Sequence, residues 1–332
     1  MPMPAFKLHV LCLTYNHGSY ITETMDGFCM QKTKFPFVCS IIDDASTDGE
    51  QDAIIKYLND NFDFKDSCSY IDETDSGRIL FARHKHNKSC YFAVVLLSNN
   101  LYNNPEGLNI KLDYIKQWRE GCKYEAICEG DDYWIDSNKL QMQVDFLEGN
   151  DDFSICSHRI RKYDQDTNEY YVDRLQRMFN NRTGCEFDNR TKVWISETSS
   201  IVYRRAAEVE YINYPYEQRD NTHMYFLLKY GKGFCLSNIM SVYRQHQGGI
   251  FSKQDIDAQL IQGSYKALKN LYAYEKTKDA RYLYYRCYAL TFLSTHGRIL
   301  TKERFEFRKI IALPFYIFSI ITGVHPVYKR EE

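Results

Sequence analysis

Lys7–Leu13 (KLHVLCL) runs into Thr14-Tyr15-Asn16, and Phe37–Ile42 (FVCSII) runs into Asp43-Asp44-Ala45-Ser46-Thr47-Asp48. Each is a short apolar run that stops abruptly at a polar cluster, as a buried strand does where it meets a loop. Between them, Gly18–Met30 sets Ile21, Met25 and Phe28 at helical spacing. Gln51–Leu58 carries a second helix, with Ser46-Thr47-Asp48 as its N-cap. Strand, helix, strand, helix predicts parallel strands joined by crossover helices, hence an α/β fold. Ligands of such sheets sit beyond the carboxyl ends of the strands, and both polar clusters fall there.

Outward from this segment the rhythm continues. Ile79–Ala82 reads as a strand, Tyr91–Leu97 as a helix and Asn99–Asn109 (NNLYNNPEGLN) as a polar loop. Tyr124–Cys128 (YEAIC) is another short strand, ending at Glu129-Gly130-Asp131-Asp132-Tyr133-Trp134. A helix over Asn138–Leu147 follows, then strands over Phe153–His158 and Ser199–Tyr203, a helix over Asn221–Tyr230 and a strand over Phe234–Tyr243. Beyond Ser252 the chain reads as helical and rich in tyrosine to about Leu300. Residues 310–324 (IIALPFYIFSIITGV) form an apolar tail preceded by Lys302, Arg304 and Arg308. It is short for a membrane span and contains Pro314. Two readings stand: an anchor lying in the membrane interface, or a terminal helix docked on the protein.

Composition narrows the function class. The 332 residues are 44% hydrophobic and 26% charged, the profile of a soluble globular protein. A net charge of −2 gives no basic field and argues against nucleic acid as a partner. The 28 tyrosines offer flat faces with polar tips that suit sugars and bases, unless they reflect only the habit of the source genome. The 11 cysteines are scattered with no CxxC, which argues against a disulfide framework and a zinc site. Cys12 and Cys39 lie inside apolar runs and read as small buried hydrophobes. Such usage favours a reducing, cytoplasmic compartment, and MPMPAFKLHV lacks the layout of a signal peptide.

Glu129, Asp131 and Asp132 carry the chemistry of greatest interest. Carboxylates this close repel unless a cation neutralises them, and hard oxygen ligands suit Mg²⁺ or Mn²⁺. Gly130 would let the backbone turn so that its neighbours face one ion. Taken alone, the four residues read more simply as a solvated acidic turn capping the helix near Asp136. Their place after a strand of an α/β pattern, with Trp134 beside them, tips the balance to a metal site.

Four ordered blocks now resemble the family 2 glycosyltransferases, in a bacterial branch, with the GT-A fold. They are Thr14-Tyr15-Asn16, Asp43-Asp44-Ala45-Ser46-Thr47-Asp48, the run CEGDDYW at Cys128–Trp134, and Met240–His246 with Gly248-Gly249. The resemblance spans residues 8 to 250. It implies a mostly parallel central sheet flanked by helices, with a helical C-terminal extension. It implies a nucleotide-sugar-binding half over 1–135, an acceptor-binding half over 136–250 and a helical region over 251–332. Thr14, Tyr15, Asn16, Asp43, Asp44 and Arg83 would contact the base and ribose of the nucleotide. Asp131 would be the main ligand of Mn²⁺ or Mg²⁺ and touch the nucleotide diphosphate, with Glu129, Asp132 and His246 as further ligands. The sequence departs from the family pattern at Glu129, usually Asp, and at Asn87-Lys88-Ser89, usually N-x-G.

The resemblance further implies a metal-dependent hexosyl- or N-acetylhexosaminyltransferase acting by inversion. Its donor would be a nucleotide-sugar, UDP-linked, and its acceptor a glycan or lipid-linked glycan in surface polysaccharide synthesis. The setting would be cytoplasmic, with peripheral contact at the inner face of the membrane through 310–324. The match to the family's catalytic base is Asp220, with Glu217 as the fallback, although Asp220 equally suits an N-cap for the helix that follows. Trp194 and Glu197 could shape the acceptor pocket or equally be core and surface residues, and His223 faces the helix exterior rather than the chemistry. Two alternatives stay open. A sugar-phosphate nucleotidyltransferase shares the α/β domain and acidic ligands, but opens with a glycine-rich loop where this chain has TYNHGSY. A non-catalytic carbohydrate-binding relative would keep the fold alone.

Overall fold

A computed structural model describes residues 4–102, 104, 106–172, 183–188, 197–208 and 220–246. In chain order its elements are β1 (Leu8–Thr14), α1 (Ile21–Cys29), β2 (Phe37–Asp43), α2 (Glu50–Asn61), β3 (Phe62–Asp63), β4 (Tyr70–Thr74), β5 (Gly77–His84), β6 (Cys90–Leu97) and α3 (Gly107–Arg119). There follow β7 (Tyr124–Ile127), β8 (Tyr133–Trp134), α4 (Lys139–Gly149), β9 (Phe153–Asp164), β10 (Glu169–Val172), β11 (Gly184–Phe187), β12 (Val202–Arg204), α5 (Asp220–Tyr230) and β13 (Lys232–Gln245). Short 3₁₀ turns cover Thr198–Ser200 and Arg205–Glu208.

The chain divides into two compact units. The first comprises Met1–Asp188, Ile195–Ala207 and Leu227–Arg244. The described part of the second is residues 208, 220–226 and 245–246.

The sheet of the first unit runs β11-β13-β9-β12-β7-β1-β2-β6-β5-β3 among the described residues. Its centre, β7-β1-β2-β6, is parallel as the strand–helix rhythm predicts. On either side the pairing turns antiparallel, through β12 on β7 and β5 on β6. Helices cover both faces. Leu8, Val10 and Cys12 of β1 join Ile21, Met25 and Phe28 of α1, Ile54 and Leu58 of α2, and Leu140, Val144 and Leu147 of α4. Leu11, Val38 and Ile42 join Ile115 and Trp118 of α3 on the other face. The free thiols of Cys12, Cys39, Cys90, Cys128 and Cys156 are buried, consistent with their reading as small hydrophobes.

Residues 91–97 correct the sequence reading. They form a strand, not a helix. Phe92, Val94 and Leu96 enter one core, while Tyr91, Ala93, Val95 and Leu97 enter the other. A strand buried on both faces loses its polar alternation and keeps only a continuous apolar run. No described helix is long and apolar enough to cross a membrane; the 310–324 tail lies outside the described residues.

Lys139, at the start of α4, is fully buried with its Nζ 4.1 Å from the centroid of the Trp134 ring. That Nζ has no hydrogen-bond partner among the described residues. Burial pushes its pKa down to about 7, partly offset by the thiols of Cys128 and Cys156. An unfolded lysine titrates near 10.4, so the native chain binds fewer protons between about pH 7 and 10. Stability therefore rises with pH through that window, by up to about 1.4 kcal/mol per pH unit from this group. Lys139→Met is expected to raise Tm at pH 7 and to flatten this rise, as thermal denaturation across pH 7–10 would show.

Candidate functional site

The three strand ends that carry the polar clusters are neighbours in the sheet. Thr14 pairs in register with Asp43, and Leu11 pairs with Ile127. Thus β1 runs on past β7, and the chain after β7 folds over its end: the Gly130 amide donates to the Leu13 carbonyl at 3.2 Å. A Cβ at Gly130 would lie 2.0 Å from Thr14 Oγ1 and 2.5 Å from Thr14 Cβ. Glycine is thus needed here for close approach, rather than for the sharp turn expected from sequence. Gly130→Ala is expected to displace the carboxylate loop and to lower Tm, by about 1–3 kcal/mol of overpacking, in thermal denaturation. Gly149→Ala, where a Cβ meets nothing within 4 Å, is its control in the same assay.

The loops after β1 and β2 are stitched together by Glu50, the first residue of α2. Its carboxylate accepts from Thr14 Oγ1, and from the His17 amide and Ser46 Oγ at 2.8 Å each. Burial pushes the Glu50 carboxyl upward against these hydrogen bonds. Asn16 sits at φ 56° and serves the same join: its amide donates to Ser46 Oγ and its Oδ1 accepts from the Thr47 amide, both at 2.8 Å. The N-cap of α2 is Gly49, in the left-handed region at φ 89°, not the Ser46–Asp48 group. Asp48 instead accepts from the Glu50 amide at 3.1 Å and the Gly18 amide at 2.8 Å. Tyr15 is 44% exposed at this edge.

Asp43 and Asp44 have different surroundings. Asp44 is saturated: Oδ2 meets Lys111 Nζ at 2.7 Å and Oδ1 accepts from the Leu101 amide at 2.8 Å. It therefore anchors the loop before α3, and Lys111 is a partner that sequence spacing does not reveal. Asp43 is fully buried, with Oδ1 accepting from the Ser46 amide at 3.1 Å and Gln51 Nε2 at 2.5 Å. Its Oδ2 has no hydrogen-bond partner among the described residues. Buried carboxylate oxygens are nearly always paired, so this one marks a place for a donor.

The carboxylate loop divides in the same way. Glu129 Oε2 accepts from Thr198 Oγ1 at 2.8 Å. Asp131 is part-exposed and lies 3.9 Å from His17 Nε2, a neighbour missed from sequence because it sits on another loop. Asp132 is buried; its Oδ1 accepts from the Arg244 amide at 3.0 Å and its Oδ2 has no hydrogen-bond partner among the described residues. Burial, then the charges of Asp131 and Glu129, push the Asp132 carboxyl well above the usual carboxylate range. Thr24 of α1 donates to the carbonyls of Gly130 at 2.9 Å and Asp132 at 2.7 Å. Trp134 is core: its Nε1 donates to the Ser199 carbonyl at 2.9 Å and its ring meets Phe28 edge-on at 4.8 Å.

Other residues named from the sequence lie elsewhere. Arg83 lies at the opposite end of the sheet from Thr14 and Asp43. It pairs with Tyr91 near the start of β6, beside the opening of β2 at Phe37, and its Nε donates to the Lys88 carbonyl at 2.9 Å. Because β5 runs antiparallel, Arg78 is the arginine level with Asp43, both paired with Leu96. The Asn87-Lys88-Ser89 loop is at the far edge too, where Asn87 Nδ2 donates to the Cys29 and Gln31 carbonyls at 2.9 and 2.7 Å. Glu197 pairs with Lys162 Nζ at 3.3 Å. In the second unit His223 is buried, 3.6 Å from Glu208 Oε1, rather than on the helix exterior. Asp220 opens α5, and His246 follows the last residue of β13. The side chain of Asp220, and Glu217 and Trp194, lie outside the described set.

No family model matches the chain. Among curated relatives, the uncharacterized proteins Rv1520 of Mycobacterium tuberculosis and Mb1547 of Mycobacterium bovis are each 28% identical over 248 residues, 74% of this chain. The match spans only 60% of their length. Solved structures with the same arrangement include S. aureus TarS 1–349, at TM-score 0.57 and 16% identity over 95% of this chain and 81% of that one. TarS 1–349 in complex with UDP aligns at TM-score 0.52 and 17% identity, over 96% of this chain and 92% of that one. Mannosyltransferase PcManGT from Pyrobaculum calidifontis, in complex with GDP-Man and Mn²⁺, aligns at TM-score 0.51 and 14% identity over 100% and 92%. The chain thus has a mixed α/β fold, a central sheet flanked by helices, that matches the GT-A glycosyltransferase structures.

Proposed function

We propose that the protein is an inverting, metal-dependent glycosyltransferase that moves a sugar from a nucleotide-diphosphate donor, a UDP-sugar, to a glycan or lipid-linked acceptor. One observation carries this reading: Thr14, Asp43 and the 129–132 loop meet at one sheet edge, where Asp43 Oδ2 is buried with no hydrogen-bond partner among the described residues and three carboxylates crowd together. The fold is shared with proteins crystallised with UDP and with GDP-Man and Mn²⁺.

The donor set fits a hard divalent cation. Asp131 is part-exposed beside an imidazole, and Asp132 Oδ2 has no hydrogen-bond partner among the described residues; oxygen with one nitrogen suits Mn²⁺ or Mg²⁺. In this reading Asp131 is the principal ligand, with Glu129, Asp132 and His17 around it. The family resemblance adds His246 as a further ligand. A bound ion supplies charge neutralisation on the leaving diphosphate. Asp43 Oδ2 accepts the base imide N–H, and Thr14, Tyr15 and Asn16 line the nucleoside. Asp220 takes the proton of the acceptor hydroxyl. The freed oxygen attacks the anomeric carbon from the back while the bond to the diphosphate breaks.

The test is a released-nucleotide assay with a panel of nucleotide-sugars and glycan acceptors, run with Mn²⁺ and with EDTA. Release dependent on sugar, acceptor and metal supports the reading. Pyrophosphate formation from a nucleoside triphosphate and a sugar phosphate would assign the nucleotidyltransferase alternative instead.

A further inference from the structure

Arg244 was one letter in the run MSVYRQH, with no role assigned from sequence. We infer that it is a positioning residue that fixes the 129–133 loop by joining it to α1 and to the β9–β10 hairpin. The inference rests on reading that loop as the metal- and donor-binding site.

Two contacts hold the loop itself. The Arg244 amide donates to Asp132 Oδ1 and its Nε to the Asp131 carbonyl, both at 3.0 Å. Two more reach outward. Nη1 donates to Gln165 Oε1 at 2.7 Å, in the turn of the hairpin, and Nη2 bonds the Glu23 carboxylate on α1. The guanidinium carbon lies 4.6 Å from the ring centroid of Tyr20, 5.1 Å from Tyr133 and 5.7 Å from Tyr163. Tyr133 belongs to the loop's end and its hydroxyl is 3.4 Å from that of Tyr170, whose ring packs 4.7 Å from Tyr163. Hairpin and loop are therefore joined twice, once through the guanidinium and once through tyrosine.

The side chain of Arg244 is only 5% exposed. Burying a cation is costly unless it is paired and its donors are used. Glu23 provides the counter-charge, and Gln165 and the Asp131 carbonyl take donors in other directions. A planar guanidinium spreads five donors over a rigid fork and stacks flat on rings; the lysine ammonium gathers its three donors on one compact charge and cannot span the same separated partners. Groups that orient ligands in this way set metal affinity without touching the ion.

The experiment uses the full chain. Mn²⁺ affinity is measured by titration calorimetry for wild type, Arg244→Lys, Gln165→Ala and Glu23→Gln, alongside amide exchange of residues 129–133. Arg244→Lys is expected to weaken Mn²⁺ binding roughly tenfold or more and to speed exchange in the loop, and the two outer variants to do so by less. Arg244→Lys that folds with unchanged affinity and unchanged exchange would overturn the inference. If that variant does not fold, Gln165→Ala and Glu23→Gln decide, and wild-type behaviour in both overturns it. Wild-type protein that binds no Mn²⁺ would contradict the proposed function itself. Loop exchange in the variants would then still decide the role of Arg244.

Discussion

If the proposed function holds, Asp131→Ala is expected to abolish turnover, by about 10³-fold or more, because several kcal/mol of charge stabilisation on the leaving group would depend on an ion at Asp131. The loss should appear both as absent Mn²⁺ binding in calorimetry and as absent nucleotide release. The substitution leaves the loop standing: the contact from Arg244 Nε goes to the Asp131 carbonyl, and Thr24 still holds the carbonyls on either side. A fold-loss explanation can thus be checked directly by an unchanged Tm. Turnover and metal binding at wild-type levels would remove Asp131 from the site.

Asp220→Asn separates chemistry from binding. The amide keeps the size of the aspartate but cannot take a proton. Donor affinity should stay unchanged while kcat falls about 10²- to 10⁴-fold, the range of a positioned general base. Normal turnover in Asp220→Asn would sink the assignment and move attention to Glu217, where Glu217→Gln is the matching variant.

The features legible in sequence were those set locally. An apolar run ending at Asp43-Asp44, or at Glu129, announces a strand end whatever lies around it. The parallel centre of the sheet followed from strand–helix alternation alone. Reading failed where packing decides. Residues 91–97 lie between two cores, so nothing in their order separates a doubly buried strand from a buried helix. Arg83 was placed by family resemblance, yet the reversal of β5 carries it to the opposite edge, roughly 16 Å from Arg78 at strand spacing.

The site divides along the same line. Asp43, Asp131 and Asp132 were visible as carboxylates at strand ends. That Asp44 is already taken by Lys111, while Asp43 Oδ2 has no partner among the described residues, depends on a helix 67 residues away in sequence. His17 and Glu50 serve the site through contacts between loops, which no spacing rule encodes. Arg244 is the clearest case, since its meaning lies in partners drawn from α1, the carboxylate loop and the hairpin.

A crystal structure of the full chain with UDP and Mn²⁺ tests the central claim most directly. Mn²⁺ is expected at the Asp131 carboxylate, with the uracil imide donating to Asp43 Oδ2. UDP bound away from the Thr14–Asp43 edge, or Mn²⁺ held without Asp131, would contradict it.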